Sequence, residues 1–159
     1  MKYYLAYGSN LNREQMDGRC PGAVPVGRAV IEGYRLSFRR SYLTIELDEG
    51  CSVTAGVYCI SEENERALDR YEGYPRLYFK EYMTVPFMGY DASGEHFDGK
   101  ISAMVYIMNA GFPVQGPTEQ YLEVCRTGYR DFGLDIWPLN EAVARARARE
   151  EKHTYGLDD

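Results

Sequence analysis

The chain has 159 residues, 45% of them hydrophobic, with 18 basic against 24 acidic side chains and a net charge of -6. That supplies the core of one domain, and the acidic balance argues against a general nucleic-acid binder, which carries a basic footprint. Two histidines are too few for a multi-His metal centre and argue against a Ser-His-Asp triad, leaving carboxylates, tyrosines and backbone groups to carry any chemistry.

Residues 2–7 are mostly apolar and aromatic and predict a buried strand, stopped by Gly8. Asn12 with Gln15 resembles a capping box, so a short helix begins near Arg13 and ends between Gly18 and Pro21. Residues 24–40 carry strand signals with bends at Gly27 and Gly33. Residues 42–47 and 53–60 read as two strands paired across Asp48-Glu49-Gly50. Ser61 caps a helix that reaches about Tyr71 and stops at Gly73 and Pro75, with Glu62 and Glu63 favourably placed in its first turn. Residues 77–87 and 100–108 form a second strand pair, and the polar, glycine-rich segment 88–99 connects them. Helices follow from Thr118 and over 139–152, with Trp137-Pro138 starting the last one and packing onto the sheet. The expected fold is α+β, a small mixed or antiparallel β-barrel flanked by helices, in a single domain over residues 1–153 with a frayed tail at 154–159.

No window reaches the ~18 apolar residues of a membrane span, and residues 1–7 hold no apolar signal-peptide region. Cys20, Cys51, Cys59 and Cys125 lie far apart, without metal or redox spacing. Together these predict a cytoplasmic protein with reduced thiols and no membrane partner.

Two places could carry chemistry. The first is the strand-turn-helix at Tyr7-Gly8-Ser9-Asn10, where free backbone N–H groups and a helix N-terminus favour an anion such as a carboxylate. The same residues fit an ordinary glycine turn with an Asx cap. The second is Glu72. It stands four residues after Leu68 on one helix face, so if Leu68 faces the core, Glu72 does too. It also occupies the last helical turn, where the dipole disfavours a carboxylate; burial and dipole together raise its pKa. A solvent-facing glutamate at a frayed helix end is the competing reading, and Asp69 one turn earlier is expected to face water. Most of the fifteen tyrosines are expected in the core and on the sheet surface. The arginine run at 145, 147 and 149 reads as a solvated helix face rather than a site for an anionic partner, and Arg39 and Arg40 as strand-end surface residues rather than contacts for a second carboxylate of a substrate.

Tyr7-Gly8-Ser9-Asn10-Leu11, Asp69-Arg70-Tyr71-Glu72-Gly73, Tyr78 and Pro117-Thr118-Glu119-Gln120-Tyr121 occur in an order and spacing that resemble the gamma-glutamylcyclotransferase-like proteins. The resemblance covers residues 3–135. It implies a small mixed barrel with a pocket at the end of the first strand. It implies that Tyr7, Gly8, Ser9, Asn10 and Leu11 bind a gamma-glutamyl substrate, that Glu72 is the acid/base, and that Tyr78 and Tyr121 are pocket tyrosines. The reaction it implies is intramolecular aminolysis, in which the substrate's α-amine attacks its own γ-carbonyl to give 5-oxoproline and a free amine. That chemistry needs no metal or organic cofactor, and the partner is a small molecule; the chain could act as a monomer or a homodimer. Two alternatives stand beside it: a non-catalytic ligand-binding module of the same fold, and a tailoring enzyme that removes a gamma-glutamyl protecting group in biosynthesis. Departures from the family pattern are Asp135 after Gly133-Leu134, the lack of a glycine before Tyr78, and Tyr74-Pro75 after Glu72-Gly73; all are expected near the pocket rim.

Overall fold

The computed structural model describes residues 1–91 and 93–154, the side chains of 153 and 154 excepted. Of the expected frayed tail, residues 155–159 lie outside the described residues.

Five strands form a closed ring. They are β1 (Lys2–Ala6), β2 (Val24–Arg39), β3 (Tyr42–Ile60), β4 (Tyr78–Tyr90) and β5 (His96–Met108), in the spatial order β1-β3-β2-β4-β5. The ring closes where β5 returns beside β1, in a parallel pairing of Tyr3 with Ala103 and Tyr4 with Met104; the other pairings are antiparallel. Among the described residues, four helices flank it: α1 (Arg13–Arg19), α2 (Glu62–Glu72), α3 (Glu119–Asp131) and α4 (Trp137–Thr154). The expected α+β barrel is therefore the fold that forms.

The core is apolar, with Leu5, Ile31, Phe38, Ile45, Ile60 and Met104 almost wholly buried. Successive side chains along a strand point to opposite sides, and here both sides are buried, Leu5 with Val57 on one and Tyr4 with Met104 on the other. The helix starts follow local chemistry. Asn12 accepts from the Gln15 amide at 3.0 Å, which is half of the expected capping box. At α2 the box is reciprocal: Ser61 Oγ accepts from the Asn64 amide, and Asn64 Oδ1 accepts from that of Ser61.

Three expectations need correction. Residues 42–47 and 53–60 do not pair with each other. They belong to one strand, β3, and both halves pair with β2, with Leu36 opposite Ile45 and Ile31 opposite Val53. Asp48-Glu49-Gly50-Cys51 stands opposite Gly33 alone, a break in register rather than a hairpin. The sixteen residues of β2 are long enough to partner both halves, so the turn residues become a bulge.

Segment 88–99 is likewise mostly strand. Met88 pairs with Asp98 and Gly89 with Phe97, and Asp91 Oδ1 gathers the amides of Ser93 and Glu95 at the tip. Ladder bonds are made by the backbone and tolerate polar side chains on a solvent face. The glycine is there for proximity: a Cβ on Gly89 would stand 2.0 Å from the Val26 carbonyl oxygen, so only glycine lets β4 meet β2.

Finally, Trp137 starts α4, its amide held by Asp135 at 2.9 Å, but the residue is 62% exposed. Leu139, Ala142 and Ala146 make the buried face instead, because a helix presents one stripe to its neighbour and Trp137 lies off it.

Candidate active site

A cavity of about 170 Å³ opens at the C-terminal end of β1. It is smaller than the ~300–1,000 Å³ of sites for drug-sized ligands and suits a group the size of one amino acid. Among the described residues, seven tyrosines line it, and Glu72 is the one charged residue in its wall.

The strand exit forms one side. Gly8, Ser9 and Asn10 line the cavity as the chain enters a single 3-10 turn, Ser9–Leu11. The turn is fixed from behind by tyrosine hydroxyls. Tyr58 donates to the Asn10 carbonyl at 2.9 Å, and Tyr129 to the Tyr7 carbonyl at 2.8 Å. Tyr7 donates to the Tyr106 carbonyl at 2.6 Å, which ties the turn to β5. Leading the 3-10 turn, the amides of Ser9 and Asn10 have no acceptor within it. The expected contribution of a longer helix is absent, because α1 begins only after Asn12 and its first amides are satisfied elsewhere, Arg13 by Asp131 at 2.9 Å and Gln15 by Asn12. Leu11 stands apart from the other residues of the turn. Its side chain is fully buried in the core, its amide bonds the Gly8 carbonyl at 3.1 Å, and it does not line the cavity.

The opposite wall is the end of α2. Glu72 reaches the cavity, as the spacing from the fully buried Leu68 predicts. The residue as a whole is half-buried, but its carboxyl lies deep among the turn and the tyrosines. Burial pushes that carboxyl up to about 7, and the Arg19 charge and the Asn10 amide partly offset the rise. Asn10 Nδ2 donates to Glu72 Oε1 at 3.3 Å and to the Tyr4 hydroxyl at 2.8 Å. The turn and Glu72 are thus joined directly through Asn10.

Asp69 does not face open water. It accepts from the Tyr106 hydroxyl at 2.6 Å and pairs with Lys80 at 2.9 Å, so it fastens the last turns of α2 to β4 and β5. Helical spacing alone put it on a flank, and only the neighbouring strands decide what covers that flank.

Tyr78 and Tyr121 meet on the backbone of Leu43. The Tyr78 hydroxyl donates to the Leu43 carbonyl at 2.7 Å, and the Tyr121 hydroxyl accepts from its amide at 3.1 Å. These side chains occupy backbone groups of β3 that no neighbouring strand reaches. Replacing Tyr78 with Phe therefore strands a buried carbonyl, and urea unfolding is expected to show a loss of about 1–2 kcal/mol.

Tyr4, Tyr42, Tyr71 and Tyr106 also line the cavity, and the sequence singled out none of them. Tyr3 and Tyr4 are adjacent, so strand alternation requires that they point to opposite faces, but it does not say which faces inward. Among the described residues, no group of three or more His, Cys, Asp or Glu side chains could hold a metal ion. A carboxyl raised to about 7 by burial, set in a small pocket beside the Ser9–Leu11 turn, can take a proton from a bound group and return it.

A family model described as gamma-glutamyl cyclotransferase, AIG2-like, matches residues 4–127. The chain belongs to this gamma-glutamyl cyclotransferase, AIG2-like family. The solved structure of a gamma-glutamyl cyclotransferase superposes with a TM-score of 0.71 at 24% identity, over 92% of this chain and 86% of that one. An uncharacterized human protein, loc79017, gives the same values. YkqA from Bacillus subtilis matches at 20% identity with a TM-score of 0.68, over 92% of this chain and 54% of its own. No curated protein matches.

Two departures from the gamma-glutamylcyclotransferase-like pattern lie away from the cavity lining. Asp135 caps α4, and Tyr74 packs its ring under Lys80, whose ammonium lies 4.4 Å from the ring centre. Leu77, next to Tyr78, does line the cavity. Arg39 is spent elsewhere, on Glu46 at 2.6 Å and the Phe112 carbonyl at 2.8 Å. No helix among the described residues is long and apolar enough to cross a membrane.

Proposed function

We propose that this chain is a cyclotransferase that converts a gamma-glutamyl amine or peptide to 5-oxoproline and a free amine. The observation that carries the reading is Glu72: an enclosed carboxyl tuned to about 7, hydrogen-bonded to the side chain of the Tyr7–Asn10 turn. The family membership supplies the reaction class.

The roles follow from chemistry. The free amides of Ser9 and Asn10 receive the α-carboxylate of the glutamyl group, with Gly8 allowing close approach and Tyr7 holding the turn in place. Tyr78 and Tyr121 shape the wall around the side chain, and Leu11 anchors the turn from the core. The substrate's α-ammonium cannot attack until it loses a proton, which ionised Glu72 accepts. The amine nitrogen then bonds to the γ-carbonyl carbon of the same molecule. Glu72 returns its proton to the leaving nitrogen as the original amide C–N bond breaks, and the ring nitrogen gives up its remaining extra proton through Glu72 to the released amine, which departs as an ammonium. One carboxyl serves both steps because both nitrogens are attached to one carbon. Fixing the chain in a folded conformation converts the ring closure to a positioned unimolecular step.

The test is release of 5-oxoproline from a panel of gamma-glutamyl amides and dipeptides by the folded protein. Turnover of at least one member is expected; no turnover with any of them sinks the reading. Because the free enzyme must present Glu72 ionised, kcat/KM is expected to rise with pH and level off above about 7. A flat profile between pH 5 and 8 would assign the proton transfer to another group.

A further inference from the structure

Arg19 lies outside the cavity lining, on the last turn of α1, yet it touches two groups that form the wall. Its Nη1 donates to Asn10 Oδ1, and its guanidinium carbon stands 3.4 Å from the centre of the Tyr71 ring. Tyr71 in turn meets Ser9 Oγ at 2.8 Å, and Arg19 Nη2 is steadied by Gln15 one helical turn earlier at 3.1 Å.

A guanidinium has donors only, whereas a carboxamide has an acceptor end and a donor end. An arginine on one side of Asn10 therefore decides which way its amide points. Oδ1 must face Arg19, and Nδ2 must face the cavity side, toward Tyr4 and Glu72. Two consequences follow. Glu72 is offered a proton donor, which favours its ionised form. The Tyr4 oxygen is used as an acceptor, so the Tyr4 proton is turned away from Asn10 and is available to the cavity that Tyr4 lines.

We propose that Arg19 is a positioning residue: acting through Asn10, it sets the hydrogen-bond polarity of the site, so that Glu72 receives a donor and Tyr4 donates to the bound ligand. The catalytic consequence rests on the cyclotransferase reading; the polarity itself does not. The groups facing Glu72 from the packed elements are the hydroxyls of Tyr4 and Tyr7 from β1 and the strand exit, Tyr78 from β4, Tyr106 from β5 and Tyr121 from α3. Burial pushes all of them up, so they are neutral near pH 7. Arg19 is the cation that acts on the carboxyl, and it opposes the effect of burial.

The first measurement needs neither substrate nor variant. In the NMR spectrum of the ligand-free protein, the Asn10 side-chain amide protons should show NOEs to the Tyr4 ring and the Glu72 side chain. NOEs to the Arg19 guanidinium instead would reverse the amide and overturn the proposal. The second uses Arg19→Gln and Arg19→Lys. Glutamine is neutral and can present either a donor or an acceptor, while lysine keeps charge and donors. Followed through the 13C shift of its carboxyl, the Glu72 midpoint should rise by about one pH unit in the Gln variant and stay near that of the unmodified protein with Lys. On a turned-over substrate, kcat/KM at pH 7 should fall about fivefold for Gln, as such a shift removes ionised carboxylate, with recovery for Lys. An unmoved midpoint in the Gln variant, or equal losses in both variants, would overturn the proposal. The expected Asn10 NOEs together with a moved midpoint, in a protein inactive on every substrate, would uphold the polarity and reject the cyclotransferase reading.

Discussion

Glu72→Gln is expected to lower 5-oxoproline release by about 10²–10⁴-fold, the range over which a general acid/base acts, while 5-oxoproline still binds the folded variant. The amide keeps the shape of the side chain and a carbonyl for the Asn10 donor, so the pocket survives, but it cannot exchange a proton near neutral pH. Loss of binding along with turnover would make Glu72 a ligand anchor rather than an acid/base. Binding with no turnover even before substitution would favour a non-catalytic module.

The same variant carries a stability prediction of opposite sense. The Glu72 carboxyl is raised from 4.5 to about 7 in the folded chain, so between those values the native state holds more protons than the unfolded state. Its contribution to stability is fully present below pH 4.5 and is lost as pH rises through 7. At pH 8 the folded chain must bury a charge that the unfolded chain leaves in water. A fully enclosed carboxyl shifted this far would contribute roughly 3 kcal/mol, and solvent at the open cavity mouth reduces the expected gain on Glu72→Gln to about 1–2 kcal/mol. Urea unfolding at pH 5 and pH 8 checks it: the variant should gain at pH 8 and show little difference at pH 5. A variant less stable at pH 8 would place the carboxylate in solvent. A site that becomes less costly when its reactive group is removed is the expected relation between stability and function.

Gly128→Ala is expected to be the most damaging conservative change near the cavity. Gly128 lies in α3 where that helix crosses the 3-10 turn, and a Cβ there would stand 2.5 Å from the Asn12 nitrogen and 2.6 Å from the Leu11 carbonyl carbon. These are backbone atoms and cannot swing aside. Either α3 or the turn must shift, at a cost of about 3 kcal/mol or more, measurable by urea unfolding. Because Tyr129 on the same helix donates to the Tyr7 carbonyl, a shift of α3 carries the turn with it, and ligand affinity should fall along with stability. Gly18→Ala on α1, where an added Cβ meets nothing within 4 Å, is the matched control and should be neutral or slightly stabilising.

Much of this was legible one residue at a time. Helix ends are local events: Asn12, Ser61 and Thr118 each accept a bond from an amide three residues on, so cap chemistry placed them within short range. The inward orientation of Glu72 was legible because helical spacing couples it to Leu68. What failed was local polarity read as chain reversal. Asp48-Glu49-Gly50 and the polar segment 88–99 look like turns, yet each runs largely as strand because a long partner strand lies beside it.

By itself, the sequence determined the strand-turn-helix at Tyr7–Asn12, the glutamate at the end of its helix, and the alternating apolar faces from which a barrel can close, since all of these depend on contacts within a few residues. Only the tertiary structure decided that seven tyrosines converge on one cavity, that Asp69 is held by Tyr106 and Lys80, and that Arg19 turns the Asn10 amide toward Glu72. The reason is physical. Which face of a strand looks inward, and what neutralises a charge on a helix flank, are set by elements far away in the chain, and short-range periodicity carries no record of them.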